Sequence, residues 1–464
     1  MLDTELAIIG AGPAGMAAAI EAANCGIASV LIDEQQSVGG QIYRDVERVA
    51  PLRGAMLGQD FLDGLPLAEG THSPLITHLA GAVVWQVEKD GTITCSVKDQ
   101  ARQIKAQRIL IATGAIERPM PLPGWTMPGV MTVGAGQILL KQSGLIPNKA
   151  VLIGSGPLLY VLASQMLKAK TPPLAIIETQ TMGDLTKAMK HIGGALRGWR
   201  YLLKGTKLLS ALKMGGVKRY TGASNIRLEG EGAVASVSFQ CGARSHTIPC
   251  DTALLHHGVV PNVQISRALQ LDHHWDAQQA CFSPSLDEWG KSSEATIFIA
   301  GDGAGIGGAK AADLCGRIAA LKLASELGKL DEENLQQRAA PLKSALLKEN
   351  AARPFLDRAY PPFKDAQSPQ DKTIVCRCEE VTAGEIRKTI ALGCQGPNQL
   401  KAFLRAGMGP CQGRGCGLTI STLFAEQTGK SMQEIDYFTI RSPLKPITLG
   451  ELASLKQKDV ERLF

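Results

Sequence analysis

The sequence predicts an α/β protein with two Rossmann-like dinucleotide-binding domains and a small, mainly helical domain at the C-terminal end. Two strand, glycine-turn and helix patterns predict the first two domains, one turn starting at Gly10 and the other at Gly154. Two close pairs of cysteines near the end predict the third, because clustered thiols are typical metal ligands. A chain of 464 residues is also long enough for several domains.

The composition is that of a globular protein and excludes several functions. A net charge of +6 over this length is too weak for a nucleic-acid binder. The first residues, MLDTELAIIGAG, enter an apolar strand without a basic leader, and no apolar run is long enough to span a bilayer. We therefore expect a cytoplasmic protein whose eleven cysteines are thiols or metal ligands rather than disulfides.

The first glycine turn is placed to bind the pyrophosphate of a dinucleotide. In such a turn the first glycine allows the tight bend, the second lets the phosphates approach, and the third lets helix and strand pack closely. The next strand ends in two acids, where a carboxylate binds ribose hydroxyls. The predicted binding residues are Gly10, Gly12, Ala14, Gly15, Asp33 and, as second choice for the ribose, Glu34.

Three later segments resemble the marks of flavoproteins that contain two dinucleotide-binding domains. They are Gly39-Gly40-Gln41-Ile42-Tyr43-Arg44, Ile111-Ala112-Thr113-Gly114-Ala115 and Ile297-Phe298-Ile299-Ala300-Gly301-Asp302-Gly303. The resemblance implies FAD in the first domain, with the paired glycines beside the flavin and Asp302 against the ribityl chain or pyrophosphate. It adds to the predicted cofactor residues Gly39, Gly40, Gln41, Arg44, Ala112, Thr113, Gly114, Gly301 and Asp302.

The second glycine turn departs from the usual pattern. Gly154 and Gly156 hold the first two positions, but Leu159 stands at the third, so helix and strand cannot pack as closely as in a standard NAD site. Glu178 ends the next strand and would favour a ribose with a free 2′-hydroxyl. Three interpretations stay open: NAD(P), another adenine nucleotide, or an empty and purely structural domain.

Residues 184–220 form a basic and amphipathic stretch. Nine Lys and Arg residues accompany a single acid, Asp184, and apolar residues alternate with them at near-helical spacing. The stretch is interpreted as a helix pair with one solvated face, as a surface that docks on a partner protein, or as a surface that contacts an anionic membrane.

Four cysteines near the C-terminal end are the predicted metal ligands: Cys376, Cys378, Cys411 and Cys416. Four thiolates suit an iron–sulfur cluster or structural zinc. Zinc ribbons favour Cys-x2-Cys pairs, whereas Cys-x-Cys followed by Cys-x4-Cys resembles the bacterioferritin-associated-ferredoxin-like (BFD-like) [2Fe-2S] domain. Cys394 lies between the pairs and is predicted to be a packed thiol.

The predicted domain boundaries follow from these motifs. The FAD domain is discontinuous, with 1–120 and 265–330, and the second nucleotide domain occupies 121–264. A linker wrapped on the surface is predicted at 331–371, because a charged and helix-prone stretch there is followed by prolines. The [2Fe-2S] domain then occupies 372–464.

The whole chain resembles the electron-transferring alpha or A subunits of heteromeric FAD-dependent amine dehydrogenases. That family includes the A subunit of opine oxidase, one of the hydrogen cyanide synthase subunits, and the alpha subunits of D-hydroxyproline and L-proline dehydrogenases. The most family-specific stretch runs from Ala115 to Met131. The resemblance implies that a separate amino-acid-oxidase-like flavoprotein oxidises an amine, imino acid or opine. This chain would relay the electrons to an acceptor.

Several aspects of the function stay open in the sequence. No catalytic acid or base is predicted, and His256-His257 is the one histidine pair expected near a nucleotide. A small ferredoxin-like subunit is a further candidate partner, and the respiratory chain or a quinone is a candidate acceptor. A self-sufficient NAD(P)H-dependent FAD and iron–sulfur reductase is the alternative function, and a scaffold with empty sites is the third. Contact with the inner face of the cytoplasmic membrane is the alternative to a purely cytoplasmic location.

Overall fold

The computed structural model describes residues 2–455, and the statements below refer to these residues. No helix among them is long and apolar enough to cross a membrane. The strands are β1 (Leu2–Ile9), β2 (Ser29–Asp33), β3 (Ile76–Ala80), β4 (Val83–Val87), β5 (Thr92–Val97), β6 (Gln100–Ile111), β7 (Ala115–Glu117), β8 (Val130–Thr132), β9 (Ala150–Gly154), β10 (Ala175–Glu178), β11 (Lys218–Tyr220), β12 (Ala223–Glu229), β13 (Ser236–Cys241), β14 (Arg244–Pro249), β15 (Thr252–His256), β16 (Val259–Pro261), β17 (His273–Asp276), β18 (Cys281–Pro284), β19 (Ile297–Ile299), β20 (Ile374–Cys376) and β21 (Val381–Thr382).

Helices alternate with these strands in the first two thirds of the chain and dominate the last third. Three short helices are not α-helical: a π-helix at Leu139–Ser143 and 3-10 helices at Met189–His191 and Gly301–Gly303. The α-helices are α1 (Pro13–Asn24), α2 (Val46–Leu57), α3 (Gln59–Leu62), α4 (Leu65–Gly70), α5 (Val133–Ile138), α6 (Pro157–Lys168), α7 (Met182–Ala188), α8 (Ile192–Arg197), α9 (Trp199–Met214), α10 (Gln264–Ala268), α11 (Ala309–Glu326), α12 (Glu332–Asn350), α13 (Arg353–Ala359), α14 (Lys364–Gln367), α15 (Ala383–Ala391), α16 (Pro397–Leu404), α17 (Gly417–Thr428), α18 (Met432–Ile435) and α19 (Leu449–Ala453).

The first unit is built on a seven-stranded sheet with the order β3-β2-β1-β6-β5-β4, and β19 also pairs with β6. Strands β1, β2, β3, β6 and β19 are parallel, whereas β4 and β5 are antiparallel. Helix α1 crosses from β1 to β2 and packs against α11. The helices approach so closely that a Cβ on Gly316 would lie 2.1 Å from the Ala14 carbonyl oxygen. This arrangement is Rossmann-like, as predicted.

The second unit has a five-stranded parallel sheet with the order β11-β10-β9-β15-β8. An antiparallel sheet of β12, β13 and β14 is inserted between β11 and β15. Two short strands connect the units. The chain leaves the first unit through β7 and returns to it through β16, and these two strands pair with each other antiparallel. Strands β9 and β10 are fully buried, as expected of a parallel sheet covered on both faces.

The segment 331–371, predicted as a helix-prone linker on the surface, is largely helical. Helix α12 occupies much of it, and the Asp331 carboxylate caps the helix by accepting the Asn334 N–H at 2.8 Å. Leu335 and Ala339 are fully buried, in one apolar cluster with Trp289. The segment therefore packs onto the first unit through these apolar residues.

The C-terminal domain consists of the β20–β21 hairpin and helices α15–α19. Its core is continuous with that of the first unit. Phe424 and Phe438 of the C-terminal domain belong to the same buried cluster as Ile93 and Phe282 of the first unit. The domain is therefore packed on the first unit through a shared apolar core.

Candidate functional site

The first glycine turn joins β1 to α1 and is closed by the next strand. A Cβ on Gly15 would lie 1.8 Å from the Gly10 carbonyl oxygen, so only glycine allows this contact of helix and strand. Asp33 accepts the Ala11 N–H at 2.6 Å and the Gln35 N–H at 2.8 Å. Burial raises the pKa of the Asp33 carboxyl. Of the two predicted ribose acids, Asp33 is thus the one built into the turn.

Glu34 has a different environment. Its side chain is exposed and forms an ion pair with Lys445, which comes from the C-terminal part of the chain. Glu34 therefore connects the first unit to the last domain in this structure.

Two further glycine segments converge on the first turn. A Cβ on Gly40 would lie 2.8 Å from the Gly12 Cα, and one on Gly301 would lie 2.7 Å from the Ala14 Cβ. Asp302 fixes the loop before α11, because it accepts the N–H groups of Gly307 and Gly308 at 2.9 and 2.8 Å. The structure thus brings three of the sequence-predicted segments together at the N-terminus of α1.

The segment 112–114 completes this side of the turn. A Cβ on Gly10 would lie 2.5 Å from the Ala112 carbonyl oxygen, and Gly303 lies close to Gly114. The Thr113 hydroxyl is buried and has no hydrogen-bond partner among the described residues. An unpartnered buried hydroxyl costs free energy, which a bound polar ligand would relieve.

Two buried cations lie beside the glycine turn. Arg44 is 7 % exposed; its Nη2 donates to the Gln41 side chain at 2.9 Å, and its Nε has no partner among residues 2–455. Lys141 is 2 % exposed and its Nζ donates to the Gln41 carbonyl and the Gln137 side chain, each at 3.0 Å. Burial and the nearby Arg44 lower the pKa of Lys141 to about 7. The unpartnered Arg44 nitrogen fits an anionic phosphate at this turn.

Sequence reasoning missed Lys141. The only signal was a single lysine after the apolar run Ile138-Leu139-Leu140, and such a lysine is equally consistent with an exposed helix position. Its burial depends on the packing of the π-helix against the 39–44 segment.

A histidine side chain lies against the second glycine turn. A Cβ on Gly156 would lie 3.0 Å from the His256 Nε2, so the imidazole lies against the turn. His256 is held there by Glu117, whose carboxylate bonds the His256 Nδ1 at 2.6 Å and accepts the Gly134 N–H at 2.9 Å. Leu159 is fully buried in the core at the predicted third-glycine position.

Glu178 is fully buried and has protein partners on both oxygens. The Arg219 guanidinium donates to them at 2.9 and 3.0 Å, and the Tyr160 hydroxyl donates at 2.5 Å. This geometry differs from the ribose-binding role suggested for Glu178, because that role needs a carboxylate facing the crevice. Arg219 was predicted only as part of the basic stretch, and the pairing of β10 with β11 turns it toward Glu178.

His257 is a structural residue. It is fully buried, its Nε2 donates to the Pro119 carbonyl at 2.7 Å, and its Nδ1 accepts the Phe363 N–H at 3.1 Å. Burial, with the nearby Arg118, lowers its pKa to about 3. Its imidazole is therefore neutral and fixed in orientation at neutral pH.

The four predicted ligand cysteines meet as two pairs. The Cys416 thiol donates to the Cys376 sulfur, which lowers the pKa of Cys376 to about 6 and raises that of Cys416. Cys378 and Cys411 form the other hydrogen-bonded pair. Within residues 2–455 no three His, Cys, Asp or Glu side chains come close enough to hold a single ion.

Two thiol pairs fit a cluster with two irons, because each iron can take two thiolates. Backbone N–H groups of Cys378, Glu379 and Gly407 also point at the Cys376 sulfur, as expected where sulfur carries negative charge. Gly409 lies tightly against Cys378, since a Cβ there would be 3.3 Å from its sulfur. Cys394 is buried beside the Gly396 carbonyl, at 3.6 Å, and stands apart from the four.

The cysteine loop is tied to both other units. Arg414, which lies between the second pair of cysteines, donates to the carbonyls of Cys411 at 3.1 Å and Leu444 at 3.0 Å. The Leu444 N–H donates to the Trp85 carbonyl of the first unit at 2.7 Å. Trp125, in the family-specific stretch, donates its indole N–H to the Ile374 carbonyl at 2.7 Å, two residues before Cys376.

Two family models match the chain. Residues 4–326 match the model described as pyridine nucleotide-disulphide oxidoreductase, and residues 374–426 match the BFD-like [2Fe-2S] binding domain. The first match implies FAD as cofactor, and the second implies a [2Fe-2S] cluster. Both agree with the predicted cofactors and fold class.

The similar proteins include subunits of opine oxidase and of hydrogen cyanide synthase. The chain is 43% identical to the A subunit of opine oxidase from Rhizobium meliloti (strain 1021), covering 97% of this chain and 98% of the relative. It is 31% identical to the HcnB subunit of hydrogen cyanide synthase from Pseudomonas protegens, covering 95% of each.

Among solved structures, L-proline dehydrogenase from P. horikoshii superposes with a TM-score of 0.71 at 20% sequence identity, covering 97% of this chain and 79% of that one. At this identity the likeness supports the fold. Together with the two domain matches and the thiol geometry, the comparisons show that the chain belongs to the pyridine nucleotide-disulphide oxidoreductase family, as a flavin-dependent oxidoreductase that carries a BFD-like [2Fe-2S] domain and is homologous to the A subunit of opine oxidase.

Proposed function

We propose that this chain is the FAD- and [2Fe-2S]-containing subunit of a heteromeric dehydrogenase or oxidase that acts on CH-NH or CH-NH2 donors. An amino-acid-oxidase-like flavoprotein partner oxidises the amine, imino acid or opine, and this chain relays the electrons to an acceptor. The observation that carries the proposal is the packing of the cysteine domain on the first unit through one shared core.

The fixed position of the cysteine domain supports a relay within one chain. FAD and a [2Fe-2S] cluster would supply two-electron and one-electron redox chemistry respectively. Lys445 of the C-terminal domain forms an ion pair with Glu34, the neighbour of the predicted ribose acid Asp33. A cavity of about 10 Å³ lies between the domains, lined by Arg118, His257 and Gly415 among others, and it has room for about one water molecule. The contacts between the domains support a relay in which the two redox sites keep a fixed relation.

The residues around each site have defined tasks in this proposal. Arg44 and Lys141 neutralise the charge of the FAD phosphates, and the Thr113 hydroxyl offers a hydrogen bond to the cofactor. The cysteine pairs hold the cluster, and the N–H groups near Cys376 stabilise negative charge on its sulfur. Apolar packing joins the C-terminal domain to the first unit.

Oxidation of the substrate is assigned to the partner because the candidate general bases here are engaged. His257 is buried and neutral, with both ring nitrogens bonded, and His256 is bonded to Glu117. The names of the relatives, which are subunits of opine oxidase and of hydrogen cyanide synthase, support a multisubunit enzyme.

A self-sufficient NAD(P)H-dependent reductase is the alternative. It is favoured by the family match, which includes the second unit. The geometry of that unit disfavours it, because His256 lies against the glycine turn and Glu178 is bound to Arg219.

Anaerobic reduction of the purified, cofactor-loaded protein distinguishes these functions. We expect no bleaching of the flavin by NADH or NADPH, and bleaching by an amine or opine only in complex with the co-expressed partner. A Cys411→Ser complex should still bleach its flavins yet fail to pass electrons to a dye that takes them from the cluster. Rapid bleaching of the isolated chain by NADH would support the alternative.

A further inference from the structure

Residues 182–214, here called the helical layer, comprise α7, the 3-10 helix Met189–His191, α8 and α9, and they expose several large apolar side chains. Met182 and Leu185 lie three residues apart in α7, and Trp199 and Leu203 lie four apart in α9, so each pair shares one face of its helix. Met189 lies in the 3-10 helix that follows α7, and Leu196 lies in α8. The exposed fractions are 77% for Met182, 41% for Leu185, 50% for Met189, 62% for Leu196, 54% for Trp199 and 44% for Leu203.

These side chains are not needed to anchor the layer. Its inner face supplies that contact through Ala188 and Ala195, which are fully buried in a cluster with Phe355 of α13. Leu212 buries the end of α9 in the main core. The outer apolar residues thus face away from the packing that holds the layer.

The same layer carries the positive charge of the protein. Its seven Lys and Arg residues accompany Asp184 alone, leaving +6, which equals the net charge of the whole chain. Among residues 2–455, Lys204 is the one member of this set with an acidic partner, Asp60. The basic residues are Lys187, Lys190, Arg197, Arg200, Lys204, Lys207 and Lys213.

We propose that the helical layer is a docking surface for an anionic phospholipid membrane, with Trp199 and its apolar neighbours in the interface and the basic residues against the headgroups. An amphipathic basic surface that exposes Trp and Leu is the signature of interfacial binding. Trp is favoured at the headgroup level because its ring is apolar and its N–H is polar.

The composition favours a membrane over a protein partner. Protein interfaces are enriched in Trp, Met and Arg but depleted of Lys. Here lysines outnumber arginines by five to two. Anionic lipid attracts either cation through long-range charge, which needs no fixed geometry. The single acid in the layer leaves that attraction almost unopposed.

Flotation of the full, cofactor-loaded chain with lipid vesicles tests the proposal. We expect binding to phosphatidylcholine vesicles containing about 30 mol% phosphatidylglycerol, at least tenfold weaker binding to pure phosphatidylcholine, and release as salt rises toward about 0.5 M. Lys190→Glu with Lys207→Glu should weaken binding about tenfold or more.

The matched control reverses two exposed cations outside the layer, Lys98→Glu with Arg244→Glu. Both residues are exposed. Each double variant replaces two cations by two acids, so the control changes the net charge by the same amount. Equal loss of binding in both double variants would overturn the proposal, because binding would then follow net charge and not this surface.

A second measurement does not depend on charge variants. Quenching of tryptophan fluorescence by brominated phosphatidylcholine in the same vesicles should be strong in the native chain and fall markedly in Trp199→Phe. Unchanged quenching in Trp199→Phe, or no binding to anionic vesicles, would refute the docking surface. A further outcome would also refute the docking surface. In it, the Lys190→Glu, Lys207→Glu variant loses a complex with a partner protein but still binds vesicles.

Discussion

Arg219 binds both carboxylate oxygens of Glu178 through one guanidinium nitrogen, at 2.9 and 3.0 Å, in a place where Glu178 is fully buried. Removing Arg219 leaves a buried carboxylate without its cationic partner, although the Arg219 side chain is itself 31% exposed. We therefore expect Arg219→Met to lower the free energy of unfolding by about 1–3 kcal/mol, measured by denaturant titration. Its neighbour Lys218 is exposed on the same strand, and Lys218→Met should change stability by about 0.5 kcal/mol or less. Equal effects of the two changes would contradict a stabilising pair of Arg219 with Glu178.

Substitutions at Gly12 and Gly15 are expected to have different effects, the first on cofactor binding and the second on folding. Gly12 has φ −77°, which any residue adopts, and a Cβ there meets nothing closer than the Gly40 Cα at 3.9 Å. Gly12→Ala should fold normally and lose most of its FAD, because the methyl group occupies the space under the pyrophosphate. Gly15→Ala should instead lose stability by at least about 1–3 kcal/mol. Flavin absorbance per folded protein and thermal unfolding measure the two effects, and normal FAD content in Gly12→Ala would contradict the assigned site.

Lys141 should make the stability of the FAD-free protein depend on pH. Its pKa is about 7 in the fold and near 10.5 in an unfolded chain. Between these values the unfolded state holds a proton that the folded state has released, so stability rises with pH across this window. Below about pH 7 the lysine is charged in both states and its burial costs the full amount, on the order of 2–5 kcal/mol.

The variant that tests this is Lys141→Met in FAD-free protein. It should be more stable than the native chain at pH 6, and the difference should shrink as pH approaches 10. Denaturant titration at three pH values checks this, with exposed Lys168→Met as the control. A difference that does not change with pH would show that Lys141 keeps its proton throughout.

The cysteine pairs should hold the cluster independently of FAD. Cys411→Ser or Cys416→Ser should remove the visible and paramagnetic signals of a [2Fe-2S] centre and reduce the iron content. FAD should stay bound, because Gly12 and Asp33 lie in another unit. Cys394→Ser is the control, since Cys394 stands apart from the pairs. A normal cluster spectrum in the Cys411 and Cys416 variants would exclude the ligand assignment.

The sequence was sufficient to predict motifs whose residues lie close together in the chain. The glycine turn at Gly10, the acid Asp33 and the loop at Asp302 are predicted from spacing that a strand and a helix impose on near neighbours. The four ligand cysteines also lie in short motifs. The family matches confirm FAD and the [2Fe-2S] cluster, and the residues assigned to hold them stay predictions.

The sequence was insufficient to predict the surroundings of a side chain when those surroundings come from residues far away in the chain. Glu178 has the position of a ribose acid, but it is fully buried and paired with Arg219 on the neighbouring strand. Lys141 becomes buried because the π-helix packs on the 39–44 segment. In the segment 331–371, Leu335 is buried beside Trp289. None of these partners is close in sequence. The domain boundaries and the individual site residues stay predictions.

Strand β6 shares one edge between two partners, since β5 pairs with its first half and β19 with its second half. This sharing affects the order in which the chain acquires structure as it leaves the ribosome. Ile297–Ile299 emerges only after the whole inserted unit has been made, so the host sheet keeps an open edge throughout that interval. The inserted sheet, whose strands all lie between Val130 and His256, can close first. A truncation before β19 should therefore leave the inserted unit folded and the host unit prone to aggregate, which limited proteolysis of nascent chains would reveal.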